Sequence, residues 1–139
     1  MLQRRAALGA ALALPALVRA ARAQTNYPDH AVRIVVGFAP GGATDITTRL
    51  LAPRLQAALG GSAPVVVENK PGGSGNLATQ TVVNAAPDGY TLLMGTISAL
   101  AINPSLFNDL PFNPQTDLTP IGLFADVLNI LVVPIERPW

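Results

Sequence analysis

Residues 32–45 constrain the fold of this chain more than any other stretch. Residues 32–38 are mostly β-branched or apolar, which is typical of a strand buried on both faces. Pro40, Gly41 and Gly42 follow and break the strand, because glycine permits backbone angles that other residues avoid. Thr44 or Asp45 can then cap a helix. The free N–H groups at such a helix N-terminus, together with its partial positive charge, predict an anion-binding site.

The N-terminal residues 1–23 have the pattern of a secretory signal peptide. Arg4 and Arg5 form a positive start, an apolar run follows over residues 6–18, and Ala21 and Ala23 provide a small-x-small cleavage site. The apolar run is shorter than the roughly 20 residues that span a bilayer, which favours a signal peptide over a membrane anchor. We therefore expect export to the periplasm and cleavage after Ala23. The arginine pair also raises twin-arginine export, and the export route stays open.

The charge of the chain changes once the signal peptide is set aside. Four of the nine basic residues lie within residues 1–23, so the remainder carries five basic against eight acidic side chains, a net charge of −3. No basic patch remains, which argues against a nucleic-acid partner. The chain has no cysteine, so it has neither disulfides nor a thiolate metal site, and no metal or cofactor is expected.

The pattern after the signal predicts an α/β fold with a parallel β-α-β-α-β order. The predicted strands cover residues 32–38, 64–68 and 90–95, and the predicted helices cover residues 45–59 and 76–86. Four apolar side chains recur at helical spacing along the first helix and predict its buried face: Ile46, Leu50, Leu55 and Leu59. Short loops between these elements favour right-handed crossovers.

The pattern is weaker beyond residue 95. A helical turn is expected around Asn103 and Pro104, within residues 99–107. Residues 108–117 are rich in proline and asparagine and should be irregular. Residues 118–125 and 129–133 are expected to form two more strands.

Three loops, at residues 39–44, 69–76 and 96–98, follow the predicted parallel strands and should meet at one edge of the sheet. Ligands of open α/β sheets bind at that edge. The alternative is that the glycines only make tight turns. Enzyme motifs are incomplete: the glycine pattern that starts at Gly73 lacks the acidic partner of a dinucleotide site, and the serine elbow around Ser74 has Asn76 in place of its last glycine. The only histidine, His30, precedes the first strand at the opposite end of the sheet.

Four blocks of residues resemble the Bug family, the periplasmic substrate-binding proteins of tripartite tricarboxylate transporters. These blocks are residues 38–45, 66–73, 86–92 and 101–104. The resemblance implies a type II periplasmic-binding-protein fold, in which two α/β lobes enclose a small carboxylated metabolite. It also implies no catalytic activity, no cofactor, and membrane transporter subunits as partners.

The resemblance further implies that loop backbone groups and ordered water hold the ligand carboxylate. The positions of this chain that correspond to those loops are Phe38, Ala39, Pro40, Gly41, Gly42, Ala43, Thr44 and Asp45, and more loosely Gly95, Thr96, Ser98 and Asn103. Relatives often carry a polar residue, frequently histidine, where this chain has Leu100, so the identity of the ligand is open.

Family members are commonly more than twice as long as this chain, which implies a truncated or fragmentary member. We expect residues 24–125 to form an incomplete first lobe, and residues 126–139 to form the crossover and the start of a second lobe that is mostly missing. A strand edge or an apolar face should then be open. An exported α/β enzyme, either a hydrolase or a nucleotide-dependent enzyme, and a fragment without function are the alternatives.

Overall fold

A computed structural model describes residues 27–127 together with residues 132 and 135. The expected signal peptide and cleavage site lie outside the described residues, as does most of the expected strand at residues 129–133. The elements, in chain order, are β1 (Val32–Val36), α1 (Ala43–Ala58), β2 (Val65–Asn69), a 3₁₀ turn (Gly73–Gly75), α2 (Asn76–Val83), β3 (Thr91–Met94), a π-helical turn (Ser98–Ile102) and α3 (Asn103–Leu106). Within the described residues, no helix is both long and apolar enough to cross a membrane.

The three strands form a parallel sheet in the order β2-β1-β3. Val32 pairs with Val65 on one side of β1, and Arg33 pairs with Thr91 on the other. Helix α1 packs on β1 and β2, while α2 packs on β1 and β3. The first crossover leads from β1 to β2 and the second returns from β2 past β1 to β3. Because the two crossovers run in opposite directions across the sheet, right-handed connections put their helices on opposite faces. The predicted parallel β-α-β-α-β order is thus confirmed, and a topological switch point lies between β1 and β3.

The central strand forms the core of the sheet. Val32, Ile34, Val35 and Val36 are at most 2% exposed. The β-branched run predicted this burial on both faces, because β1 is paired on each side and covered by a helix on each face.

The predicted buried face of α1 is wrong in the first half of the helix, whereas Leu55 and Leu59 in the second half are partly buried. Ile46 and Leu50 are 52% and 66% exposed, and the side chains that face the sheet are those of Asp45, Thr48 and Ala52. The small side chains at positions 48 and 52 let the helix lie close to the strands. The rotation of the helix about its axis is therefore set by close packing and by the hydrogen bonds of Asp45 rather than by its largest apolar residues.

The predicted strand at residues 118–125 is also absent from the described residues. Ile121 and Leu123 are 84% and 89% exposed, and residues 119–127 have no regular structure. An apolar stretch forms a strand only where a neighbouring strand supplies hydrogen bonds, and the described residues offer none here. The helical turn around Asn103 and the irregular structure of residues 108–117 are confirmed.

Candidate functional site

The three loops predicted to carry the site meet at the carboxyl edge of the sheet. The Lys70 amide donates to the carbonyl of Val36 at 2.8 Å, and Asn69 Nδ2 donates to the carbonyl of Phe38 at 3.1 Å. Gly37, just after β1, lies against Gly75 so closely that a Cβ at position 37 would be 2.7 Å from the Gly75 Cα. The loops after β1 and β2 therefore form one continuous surface.

Helix α1 begins at this surface with unpaired donors. Its N-cap is Gly42, which provides no side-chain cap, and the first helical bond runs from the Ile46 amide to the Gly42 carbonyl at 2.9 Å. The N–H groups of Ala43, Thr44 and Asp45 have no protein acceptor among the described residues. The expectation that Thr44 or Asp45 caps the helix is wrong, because both lie within its first turn.

The two glycines of the first loop differ in conformation. Gly41 has a φ of +84°, a left-handed angle that other residues rarely adopt, and its amide donates to Asp45 Oδ2 at 2.9 Å. Gly42 has φ −74° and ψ 165°, which any residue can adopt, and a Cβ there would make ordinary contact with the Ala39 carbonyl at 3.5 Å. The sequence analysis expects both glycines to use backbone angles that other residues avoid, and the structure has such an angle at Gly41 but not at Gly42.

Asp45 is buried and fully hydrogen-bonded by the protein. Its carboxylate accepts from Arg49 Nε at 3.0 Å, from the Gly41 amide at 2.9 Å and from Asn69 Nδ2 at 2.8 Å. The Arg49 guanidinium, then the Gly41 amide and Asn69, hold the pKa of Asp45 at about 2, below its ordinary 3.8. This carboxylate therefore shapes the loop and is already occupied by protein donors.

Arg49 and Asn69 are functional candidates that the sequence analysis missed. Arg49 Nη2 also donates to Asn69 Oδ1 at 2.9 Å, which closes a ring of hydrogen bonds between α1, the first loop and the end of β2. The spacing of Asp45 and Arg49, four residues apart on one helix, is the sequence signal that could have identified the pair.

The other residues expected at the first loop lie around this helix terminus. Ala39, Pro40, Gly41, Gly42 and Ala43 are exposed, whereas Phe38 and Thr44 are partly buried. The loop thus presents backbone and small side chains to solvent, with its charged groups beneath.

The loop after β3 contributes a buried hydroxyl. Thr96 Oγ1 is inaccessible to solvent and has no hydrogen-bond partner among the described residues. It lies near Gly75, where a Cβ would be 3.9 Å from the hydroxyl and 3.1 Å from the Ala99 Cβ. Gly95 and Ser98 flank Thr96 at the same sheet edge. A buried polar atom without a partner indicates a place for an ordered water or a ligand atom.

Asn103 is buried at 3% exposure, and its side-chain amide is occupied by protein acceptors. Asn103 Nδ2 donates to Asn76 Oδ1 at 2.7 Å and to the carbonyls of Gly73 and Ser74 at 3.3 Å each. Ser74 has a φ of +53°, unusual for a residue other than glycine. Asn103 therefore fixes the second loop.

His30 lies before β1, at the amino edge of the sheet, as the sequence predicts. Its ring stacks on Tyr90 with a centroid separation of 3.6 Å, and Nδ1 is 2.6 Å from Asp29 Oδ1. The carboxyl edge, where Ser74 lies, is at the other end of strands that rise about 3.3 Å per residue. His30 and Ser74 are therefore too far apart to act as a base and its nucleophile.

Residues 47–139 match the family described as "Tripartite tricarboxylate transporter family receptor". Among curated proteins, the chain is 42% identical over 108 residues to protein BugT of Bordetella pertussis, which covers 77% of this chain and 32% of that protein. The chain spans about a third of the length of the curated relatives that it matches.

Solved structures of the same family share the fold. MatC from Rhodopseudomonas palustris with bound malate superimposes with a TM-score of 0.66 at 39% identity, covering 70% of this chain and 33% of MatC. A second R. palustris protein, with adipate, has a TM-score of 0.60 at 37% identity, covering 65% and 29%. The periplasmic binding protein BugD has a TM-score of 0.61 at 41% identity, covering 66% and 29%. This chain therefore belongs to the Bug family, the solute-binding receptors of the tripartite tricarboxylate transporter type.

Proposed function

We propose that the chain is the first lobe of a periplasmic protein that captures a small carboxylate and delivers it to the membrane subunits of a tripartite transporter. The observation that carries this proposal is the group of three N–H donors, on Ala43, Thr44 and Asp45, left without protein acceptors at the start of α1. They lie beside the switch point of the sheet, where ligands of open α/β sheets bind. Relatives with malate and with adipate support a carboxylate as the ligand class.

In this proposal a ligand carboxylate accepts hydrogen bonds from the amides of Ala43 and Thr44. The helix dipole adds about 0.3–1 kcal/mol for one negative charge at this position. The loop after β3, with its partly exposed residues Thr96 and Ser98, borders the ligand from the β3 side. Neutral N–H groups thus donate most of the hydrogen bonds to the ligand carboxylate. A second lobe closes over the ligand from the solvent side.

The proposal is tested by calorimetric titration of the chain with malate and adipate, using a matched pair of glycine variants. Gly41 and Gly61 have φ angles of +84° and +70°, and neither has an atom within 4 Å of a built Cβ, but Gly61 lies beyond the far end of α1. We expect Gly41→Ala and Gly61→Ala to destabilise the fold similarly. Only Gly41→Ala should weaken carboxylate binding, because it distorts the loop that presents the donors.

Lys70 provides the opposing test, since it is a cation of the second loop and pairs with Glu68 at 3.4 Å. Lys70→Ala should change the affinity little, because an exposed ion pair is worth about 0–1 kcal/mol. If Lys70→Ala abolishes binding and Gly41→Ala does not, the anion lies on the second loop. Absence of any response to either carboxylate would contradict the proposed function of this chain.

A further inference from the structure

The proposed anion site contains a negative charge of its own. The Asp45 carboxylate lies in the first turn of α1, 3% exposed, and one of its oxygens already accepts from the Gly41 amide at 2.9 Å. A carboxylate at this position interacts favourably with the helix dipole and so competes with a bound anion for the same positive potential. It also repels that anion, because a buried charge is weakly screened.

Arg49 is placed to cancel this charge. Its Nε lies 3.0 Å from both oxygens of Asp45, and its Nη2 donates to Asn69 Oδ1 at 2.9 Å. Asn69 in turn donates to Asp45 Oδ1 at 2.8 Å and to the Phe38 carbonyl at 3.1 Å. The guanidinium is therefore held against the carboxylate from two directions, although the Arg49 side chain is itself 51% exposed.

We propose that Arg49 is a positioning residue that sets the electrostatic potential of the anion site by neutralising Asp45, the carboxylate that shapes the first loop. This inference rests on the proposed function. The fold gains the hydrogen bonds of a buried carboxylate without a net negative charge next to the ligand. Recognition can then depend on the N–H groups of α1.

A charge role and a purely structural role predict different orders of affinity. Arg49→Gln should weaken malate binding about two- to fivefold, the range that one charge is worth at a helix N-terminus. Adding Asp45→Asn to Arg49→Gln removes the uncompensated carboxylate and should restore the affinity to within about twofold of the parent chain. Arg49→Lys keeps the charge and should also stay within about twofold. If Asp45, Arg49 and Asn69 act only by holding the loop in shape, the double variant binds malate no better than Arg49→Gln does. Arg49→Lys then binds malate as weakly as Arg49→Gln.

Arg54 provides the matched control. It lies five residues further along α1, about 7.5 Å at the rise of an α-helix, and forms no ion pair with any described residue. Arg54→Gln changes the net charge of the chain by the same amount and should leave the affinity unchanged. An equal loss in Arg54→Gln and Arg49→Gln would overturn the inference, since it would report overall charge only.

The experiment is an amide-resolved NMR titration of the chain and these variants with malate and, separately, with sodium sulfate. If malate binds but the double variant does not recover, the inference is overturned while the proposed function stands. If sulfate alone shifts the amides of Ala43 and Thr44, with the expected order of variants, the inference stands and carboxylate capture by this chain does not. If neither anion shifts these amides in the parent chain, both are overturned. Amide spectra without ligand show whether each variant is folded.

Discussion

Replacing Gly37 by alanine should destabilise the protein through a steric conflict between two loops. An added Cβ would lie 2.7 Å from the Gly75 Cα and 3.3 Å from the Ala78 Cβ. The nearer atom belongs to the backbone at the start of α2, so relief requires a shift of the loop and helix rather than a rotamer change. Overpacking of this kind costs about 1–3 kcal/mol.

Two neighbouring glycines separate this steric effect from effects of backbone conformation. At Gly41 a Cβ meets no atom within 4 Å, but the φ of +84° makes alanine unfavourable by about 1–2 kcal/mol. At Gly42 the backbone is extended and the nearest atom to a Cβ is 3.5 Å away. Alanine at position 42 should therefore be neutral, or stabilise by about 0.4–1 kcal/mol through the less flexible unfolded chain.

Urea unfolding, followed by far-ultraviolet circular dichroism, measures all three variants on one scale. With a slope of about 1–3 kcal/mol per molar urea, a loss of 2 kcal/mol lowers the midpoint by roughly 0.7–2 M. We expect Gly37→Ala and Gly41→Ala below the parent chain, and Gly42→Ala at or above it. The reasoning is refuted if Gly37→Ala keeps the parent midpoint, or if Gly42→Ala loses as much as Gly37→Ala.

Two further predictions concern buried polar groups. The folded pKa of Asp45, about 2, lies below its ordinary 3.8, so its stabilisation is present above pH 3.8 and is lost as the pH falls toward 2. The urea midpoint should then drop more steeply between pH 5 and pH 2 in the parent chain than in Asp45→Asn, and parallel curves would contradict this. Asn103→Ala should lower the free energy of unfolding by about 1–3 kcal/mol, because it removes the hydrogen bonds from Asn103 Nδ2 to its acceptors in the second loop. Asn103→Asp should lose at least as much, since it places a carboxylate against those acceptors, and a midpoint equal to that of the parent chain would contradict the assignment.

The sheet could be predicted because its signals are local. The run at residues 32–36 is β-branched, glycine and proline follow it, and a helix-compatible stretch comes next. Each of these features acts through the backbone angles of nearby residues, so one stretch of sequence suffices. The same local signals also predicted that the three loops meet at one edge of the sheet, because the carboxyl ends of parallel strands lie at the same edge.

The buried face of α1 could not be read from apolar spacing. Ile46 and Leu50 fit a helical period, but the helix is rotated so that Thr48 and Ala52 approach the strands. Helical periodicity identifies the face that carries the large apolar side chains. The rotation of α1 about its axis depends instead on how closely the helix backbone can approach the sheet. Residues 118–125 show the same limit, since an apolar sequence alone cannot supply the neighbouring strand that a β-ladder needs.

The candidate site was predicted at the level of loops but not of individual contacts. Gly41 and Gly42 are adjacent and chemically identical, but the Gly41 amide donates to Asp45 whereas the Gly42 carbonyl accepts the first helical bond from Ile46, and only Gly41 has a left-handed φ. Asn69 reaches the site because β2 pairs with β1, a contact between residues far apart in sequence. Such non-local bonds give the side chains of Asp45 and Asn103 a structural role, holding the loops in shape, that the sequence analysis did not foresee.

The most direct measurement of the central claim is an amide-resolved NMR titration of the parent chain with malate. If the N-terminus of α1 holds the ligand carboxylate, the amide signals of Ala43, Thr44 and Asp45 should shift most and saturate with a single affinity. The amide signal of Thr96 should shift at the same malate concentrations. The amide signals of the residues around His30, at the amino edge of the sheet, should not shift. Shifts centred on residues 70–76, or no saturable shift at residues 43–45, would contradict the account.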